Sequence, residues 1–277
     1  MRTWAAITSA RSEGRWATGY GDEIIAAGQA QRAFEQSKLP SRINGLNWIP
    51  RWHPIWEGNP AIARPDYTGM ANDILNGPHC RPYIVYPFTA DTGWTFNRTF
   101  HARDHVAKIY LTDDERQRAE WVCRTFGPYV LIEPWSKHMN LRWPLDHWQA
   151  LIDSRPDLTF VQHTHADSSE LRRTERVLAT FREACALVER SALYIRGESG
   201  MCHAAAALGI PQVTIWGACM DWTVLGGYDK QLGLGVSDSP CGCYKPCAHC
   251  ALAMAAISVE AVSHAIDAQL ACYLSSA

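Results

Sequence analysis

The chain has 277 residues, 47% of them hydrophobic and 19% charged. That length fits one large domain or two compact lobes, and the composition excludes a disordered or fibrous chain. A net charge of −2 sets up no whole-chain basic field for nucleic acid, but the balance is uneven: residues 1–110 hold 12 Lys/Arg against 9 Asp/Glu, with four histidines and six of the twelve tryptophans, while residues 111–277 hold 14 against 19.

No uncharged apolar run reaches the roughly 18 residues of a membrane-spanning helix. The opening segment Met1–Trp16 is too interrupted for a signal peptide, so the expected compartment is the cytosol. There, ten cysteines read as thiols or metal ligands rather than disulfides. Six are scattered, whereas Cys241, Cys243, Cys247 and Cys250 cluster.

In chain order, Trp4–Thr8 reads as a strand, and a glycine-containing loop then leads into a helix from Asp22 to Gln36. Residues 40–82 are rich in Pro, Trp and Arg, and 83–86 reads as a strand before an irregular loop over 88–108. Thr112 opens a helix to Phe126, whose acidic first turn suits a helix N-terminus. Beyond it, strands at 129–133, 158–162, 192–195 and 212–216 alternate with helices opened by Pro144, spanning 168–187, and spanning 200–208 up to Gly209. A last amphipathic helix covers 258–274. Strands alternating with helices predict a parallel, doubly wound α/β sheet.

Three stretches carry chemistry. At Ile195–Gly209 a strand ends, Glu198 sits in the turn, and a helix starts at Ser199–Gly200. Such a start offers free N–H groups and partial positive charge to a diphosphate, or its small residues serve helix–sheet packing. Cys241-Gly-Cys-Tyr-Lys-Pro-Cys-Ala-His-Cys250 could close a tetrahedral zinc site through Cys241, Cys243, Cys247 and Cys250 beside His249, or carry reduced or disulfide-forming thiols. The run Trp48–Trp56 offers Arg51, Trp52, His53 and Trp56 as the lining of an acceptor channel or as a packed loop.

The segment Glu198-Ser-Gly-Met-Cys-His203, with Leu208, Gly209, Pro211, Trp216 and Gly217 behind it, resembles the donor site of the ADP-heptose:lipopolysaccharide heptosyltransferases, glycosyltransferase family nine. Arg182–Tyr194 resembles that family's helix-to-strand lead-in, and Arg142-Trp-Pro-Leu-Asp-His-Trp148 its basic Trp-Pro segment. Gly19-Tyr-Gly-Asp22 is similar to the family's Gly-x-Gly-Asp loop. The resemblance runs over residues 129–270 and is weak before them.

It implies a GT-B fold of two Rossmann-like lobes with parallel sheets facing a cleft. The acceptor would lie on residues 1–120 and a nucleotide-diphosphate sugar on 121–277, the last helix packing back on the first lobe. It implies inverting transfer to a glycan hydroxyl, with Asp22 as base and Glu23 in reserve. Glu198, Ser199, Gly200, Met201 and His203, together with Lys137 or Arg142, would grip the donor, and no metal is required for catalysis. The basic first part favours an anionic acceptor, phosphorylated lipopolysaccharide core ahead of DNA carrying hydroxymethylated bases. The rival readings are a sugar-nucleotide epimerase and a non-catalytic nucleic-acid-binding protein built on the cysteine cluster.

Overall fold

A computed structural model describes residues 19–88 and 91–274, with side chains to Ala271. The strand expected over Trp4–Thr8 lies outside the described residues.

The first half is built on one helix, α1 (Tyr20–Ser37). Against it lie a parallel pair, β1 (Ser41–Asn44) with β2 (Asn72–Leu75), and a small hairpin of β3 (Ile84–Val85) and β4 (Thr95–Phe96). The strand expected at 83–86 is this short β3, and the irregular stretch at 88–108 contains β4.

The second half begins with α2 (Asp113–Phe126), entered through a capping box in which Thr112 and Glu115 exchange hydrogen bonds. The remaining elements are β5 (Val130–Glu133), α3 (Leu145–Ser154), β6 (Phe160–Thr164), β7 (Thr174–Leu178), α4 (Phe181–Arg190), β8 (Leu193–Gly197), α5 (Gly200–Ala207), β9 (Gln212–Ile215), α6 (Trp222–Leu225), β10 (Gln231–Leu234), α7 (Ala248–Ala255) and α8 (Val259–Leu274). Six strands pair in the order β10-β9-β8-β5-β6-β7, all parallel. This is the doubly wound sheet that the alternation predicts.

One expected element is corrected. The single helix over 168–187 is instead the edge strand β7 followed by α4. Thr180 and Glu183 form a second capping box that fixes the helix start at Phe181, and the chain ahead of it pairs with β6 from Thr174 to Leu178.

Alternate residues of the buried strands face opposite layers. Leu131, Val161 and Tyr194 pack toward α2, α4 and α5, while Val130, Ile132, Ile195 and Val213 pack toward α3 and α8. The first of these cores continues into the first half: Ile24, Ala27, Ala30 and Trp56 join Val188, Ala204 and Ala205. A third cluster joins Ile25, Tyr83 and Ile84 to Trp216, Met220 and Leu225. Among the described residues no single helix is long and apolar enough to cross a membrane.

Gly28 shows how closely α1 is held. A Cβ there would lie 1.7 Å from the His105 carbonyl oxygen, a backbone atom that cannot swing aside. Gly28→Ala is expected to cost about 3 kcal/mol in urea unfolding, the upper range for overpacking. A loss under about 0.5 kcal/mol would mean that α1 is not packed as described.

Candidate active site

The strand order reverses at β5. From there the chain proceeds outward to β6 and β7 on one side, and to β8, β9 and β10 on the other. The crevice beyond the carboxyl ends of β5 and β8 is therefore the topological switch point, where open α/β sheets bind ligands. The loops leaving those strands are 134–144 and 198–199. They touch where Gly197 faces Leu141, since a Cβ on Gly197 would lie 2.2 Å from the Leu141 carbonyl oxygen.

A cavity of about 200 Å³ opens at this point, lined by residues from both halves, including Asp22, Arg81, Tyr83, Trp94, Glu198 and His203. The N-termini of α1 and α5 meet at its floor. A Cβ on Gly200 would lie 2.6 Å from the Gly21 nitrogen, and one on Gly21 would lie 3.0 Å from the Gly200 Cα. Only glycine at both positions permits this approach, so Gly200 serves the α1–α5 contact as well as any ligand.

Asp22 is fixed from three directions. Its Oδ2 accepts from the Gly19 N–H at 3.0 Å, which completes the helix cap, and pairs with the Arg81 guanidinium at 3.1 Å. Its Oδ1 accepts from the Tyr83 hydroxyl. Asp22 thus caps the helix and faces the cavity at once, so the two readings of this residue are compatible.

Glu23, the reserve base, points away from the cavity. Both its oxygens accept from Arg51 at 2.7 Å, its backbone carbonyl accepts from the Trp56 indole N–H at 2.8 Å, and the Arg51 guanidinium stacks over the Trp56 ring. Burial raises the Glu23 carboxyl above its ordinary range even with Arg51 beside it. Removing Arg51 would leave that charge uncompensated, at a typical cost of about 3–5 kcal/mol.

The same geometry shows what the 48–56 stretch packs against. Arg51 and Trp56 anchor α1 from behind, and neither they nor Trp52 and His53 line the cavity. The His53 ring accepts the Ile55 N–H, and burial lowers its pKa to about 4.

On the opposite wall, Ser199 caps α5 by accepting the Met201 N–H at 3.1 Å. Glu198 is buried (7% exposed), faces the cavity, and takes no hydrogen bond from any described residue. Burial pushes its pKa up to about 7, opposed by Arg196 and reinforced by Asp22. His203 also lines the cavity. Its Nδ1 lies 2.8 Å from the Tyr228 hydroxyl, and burial depresses its pKa to about 4, so the ring is neutral.

Met201 is brought elsewhere, into the core beside Cys185. Lys137 and Arg142 do not line this cavity. Lys137 is exposed, while Arg142 donates to the Ser136 carbonyl at 2.6 Å, lies over the Trp135 ring, and borders a separate pocket of about 80 Å³ with Trp135, Gln162 and Asp167.

Sequence reasoning missed Arg81, Tyr83 and Trp94. Arg81 and Tyr83 reach Asp22 across about sixty residues through tertiary packing, and no local pattern marks them.

Two groups of side chains could hold a metal. Glu133, His163 and His165 gather at the strand ends, but the Glu133 oxygens are already taken by Arg196, Tyr194 and His165. The ligand atoms of Cys241, Cys247, His249 and Cys250 lie within 4.8 Å of one another, and Cys243 is not part of that group.

Residues 95–242 match the glycosyltransferase family 9 (heptosyltransferase) profile. Among solved structures, the chain is similar to a family 9 glycosyl transferase from Veillonella parvula, with 15% identity over 91% of this chain and 95% of that one and a TM-score of 0.64. It is also similar to the iron-containing dodecameric glycosyltransferase TibC from enterotoxigenic Escherichia coli, with 15% identity over 91% and 74% and a TM-score of 0.59. The chain spans 56% of the length of E. coli ADP-heptose lipopolysaccharide heptosyltransferase II, at 17% identity over 61% of this chain and a TM-score of 0.46. No curated protein sequence matches it significantly. The fold is the α/β GT-B architecture of the first two structures, and because the family profile covers more than half of its length, the chain belongs to glycosyltransferase family 9.

Proposed function

We propose that the protein transfers a sugar, with inversion, from a nucleotide-diphosphate sugar to a glycan hydroxyl. The observation that carries this reading is the cavity at the switch point, where two helix N-termini, an aspartate and an unpaired buried glutamate converge. In this reading residues 1–120 present the acceptor and 121–277 hold the donor.

The diphosphate lies at the start of α5, where the helix partial charge and free N–H groups stabilise the negative charge that grows on the leaving group. The nucleoside extends toward the pocket bordered by Trp135 and Arg142. Arg142, rather than the exposed Lys137, is then the basic residue placed to meet the donor.

Asp22 takes the proton of the attacking hydroxyl. Its Oδ2 is occupied by Gly19 and Arg81, so the remaining lone pair of Oδ1 receives that proton. Tyr83, Trp94 and Phe96 give the cavity aromatic walls suited to sugar faces. Arg81 supplies positive charge there for an anionic acceptor. Glu198, neutral for a large part of the time near pH 7, donates a hydrogen bond to a donor oxygen without repelling the diphosphate. The Cys241, Cys247, His249 and Cys250 group fits a structural ion and has no part in the transfer step.

The direct test is sugar release and transfer from a panel of adenosine, uridine, guanosine and cytidine diphosphate sugars. Asp22→Asn should cut turnover roughly 100-fold or more while leaving the melting-temperature rise caused by the matching nucleoside diphosphate unchanged. Near-parental turnover would remove Asp22 from the mechanism.

Glu198 gives a second test, through stability. Its raised pKa means that the native state keeps a proton which the unfolded chain releases above its ordinary 4.5. The favourable contribution is complete below that value and is lost as pH rises through about 7. Glu198→Gln should therefore gain about 3 kcal/mol on the parent between pH 5 and pH 8. Parallel stability curves for the two proteins would show that Glu198 is not buried and unpaired.

A further inference from the structure

The loop over residues 241–250 is held at three places, one of them the cavity-lining Trp94. On one side it meets the first half of the chain. The Trp94 N–H donates to the Gly242 carbonyl at 2.8 Å, and Lys245 pairs with Asp91. The two backbones approach through facing glycines: a Cβ on Gly93 would lie 2.5 Å from the Gly242 oxygen, and one on Gly242 would lie 2.1 Å from the Trp94 oxygen. The Trp94 ring packs against Tyr244 and His138 at centroid distances of 5.2 Å.

On a second side, buried Asn140 spans the loop. It donates to the Cys243 and Lys245 carbonyls and accepts the Cys247 N–H, each at 2.9 Å. On the third, the Cys241 and Gly242 N–H groups donate to Ala218 and Cys219, just ahead of the cavity-lining Met220.

The loop has little core of its own, because its residues from Tyr244 to Pro246 are exposed. What it does have is a gathered set of ligand atoms. Cys247 precedes α7, and His249 and Cys250 lie in its first turn, so three ligands come from one turn of chain and Cys241 closes the set from across the loop. Cys241 and Cys250 stand 3.1 Å apart, sulfur to sulfur, well beyond the roughly 2.0 Å of a disulfide. Three thiols and an imidazole at mutual separations below 4.8 Å are a tetrahedral donor set for a thiophilic divalent ion of the zinc class.

We infer that Cys241, Cys247, His249 and Cys250 bind one such ion, and that the ion braces the loop that holds Trp94 as a wall of the active-site cavity. Cys243 lies beside the set: Asn140 engages its carbonyl, and its sulfur neighbours those of Cys241 and Cys247 without belonging to the group of four. The inference concerns metal and local order, so it stands or falls independently of the sugar-transfer reading.

The test uses the full-length protein. Elemental analysis for zinc and iron should find about one ion per chain, or chelator-treated protein should take up one Zn²⁺. Removing the ion should speed amide exchange over residues 91–96 by about 10-fold or more while β5, β6 and β8 stay protected. His249→Ala should weaken Zn²⁺ uptake and Cys243→Ser should not. If a variant fails to fold, Co²⁺ loading of the parent gives the same answer: its thiolate charge-transfer band should have the intensity of three sulfurs. A chain that neither contains nor takes up metal, exchange over 91–96 unchanged by chelation, or a four-sulfur band would overturn the inference.

Discussion

The close contact of Gly21 with Gly200 is the constraint on which the active site depends. It brings two helix N-termini into one small volume, and two partial positive charges at that distance repel each other. Two carboxyl groups answer them: Asp22 in the first turn of α1 and Glu198 one residue before the cap of α5. Their roles differ because their surroundings differ. Asp22 is held by a backbone amide, a guanidinium and a phenol. Glu198 has no such partners, so burial keeps much of it protonated near neutrality. The volume between them is the cavity in which we place the diphosphate of the sugar donor.

The contact is supported from behind. Glu23, the neighbour of Asp22, is pinned by Arg51 and Trp56, which fixes the rotation of α1 and keeps Asp22 turned toward the cavity. Gly28 seats the middle of the same helix on the 105–107 backbone. On the other side, α5 rests on a sheet whose strand ends are tied by the buried Arg196–Glu133 pair between β8 and β5. Arg51 thus acts on the site through the position of α1.

Most of the second half was legible in the sequence because its strands are continuous apolar runs and its helices carry caps. The Glu198–His203 turn could be placed at a helix start from local order alone, and Asp22 from a four-residue loop. The failures have physical causes. Strand β7, Thr174-Glu-Arg-Val-Leu178, has only Val177 buried, so its composition matched a helix face as well as an edge strand. Strands β1, β2 and β10 contain Arg, Asn, Asp or Gly and form because their neighbours are fixed, not from propensity. Arg51 and Trp56 could be read either as ligand-binding or as packing residues, since the same chemistry that stacks on a sugar also anchors a helix. Arg81, Tyr83 and Trp94 were invisible because only tertiary packing brings them to Asp22 and Glu198.

The central claim is that the nucleotide sugar binds where α1 and α5 meet. A crystal structure with the nucleoside diphosphate that most raises the melting temperature tests it directly. The account predicts the diphosphate at the Ser199–Gly200 helix start, with the nucleoside toward Trp135 and Arg142 and the β-phosphate facing Asp22 across the cavity. A diphosphate bound anywhere else, with this cavity left to solvent, would contradict it.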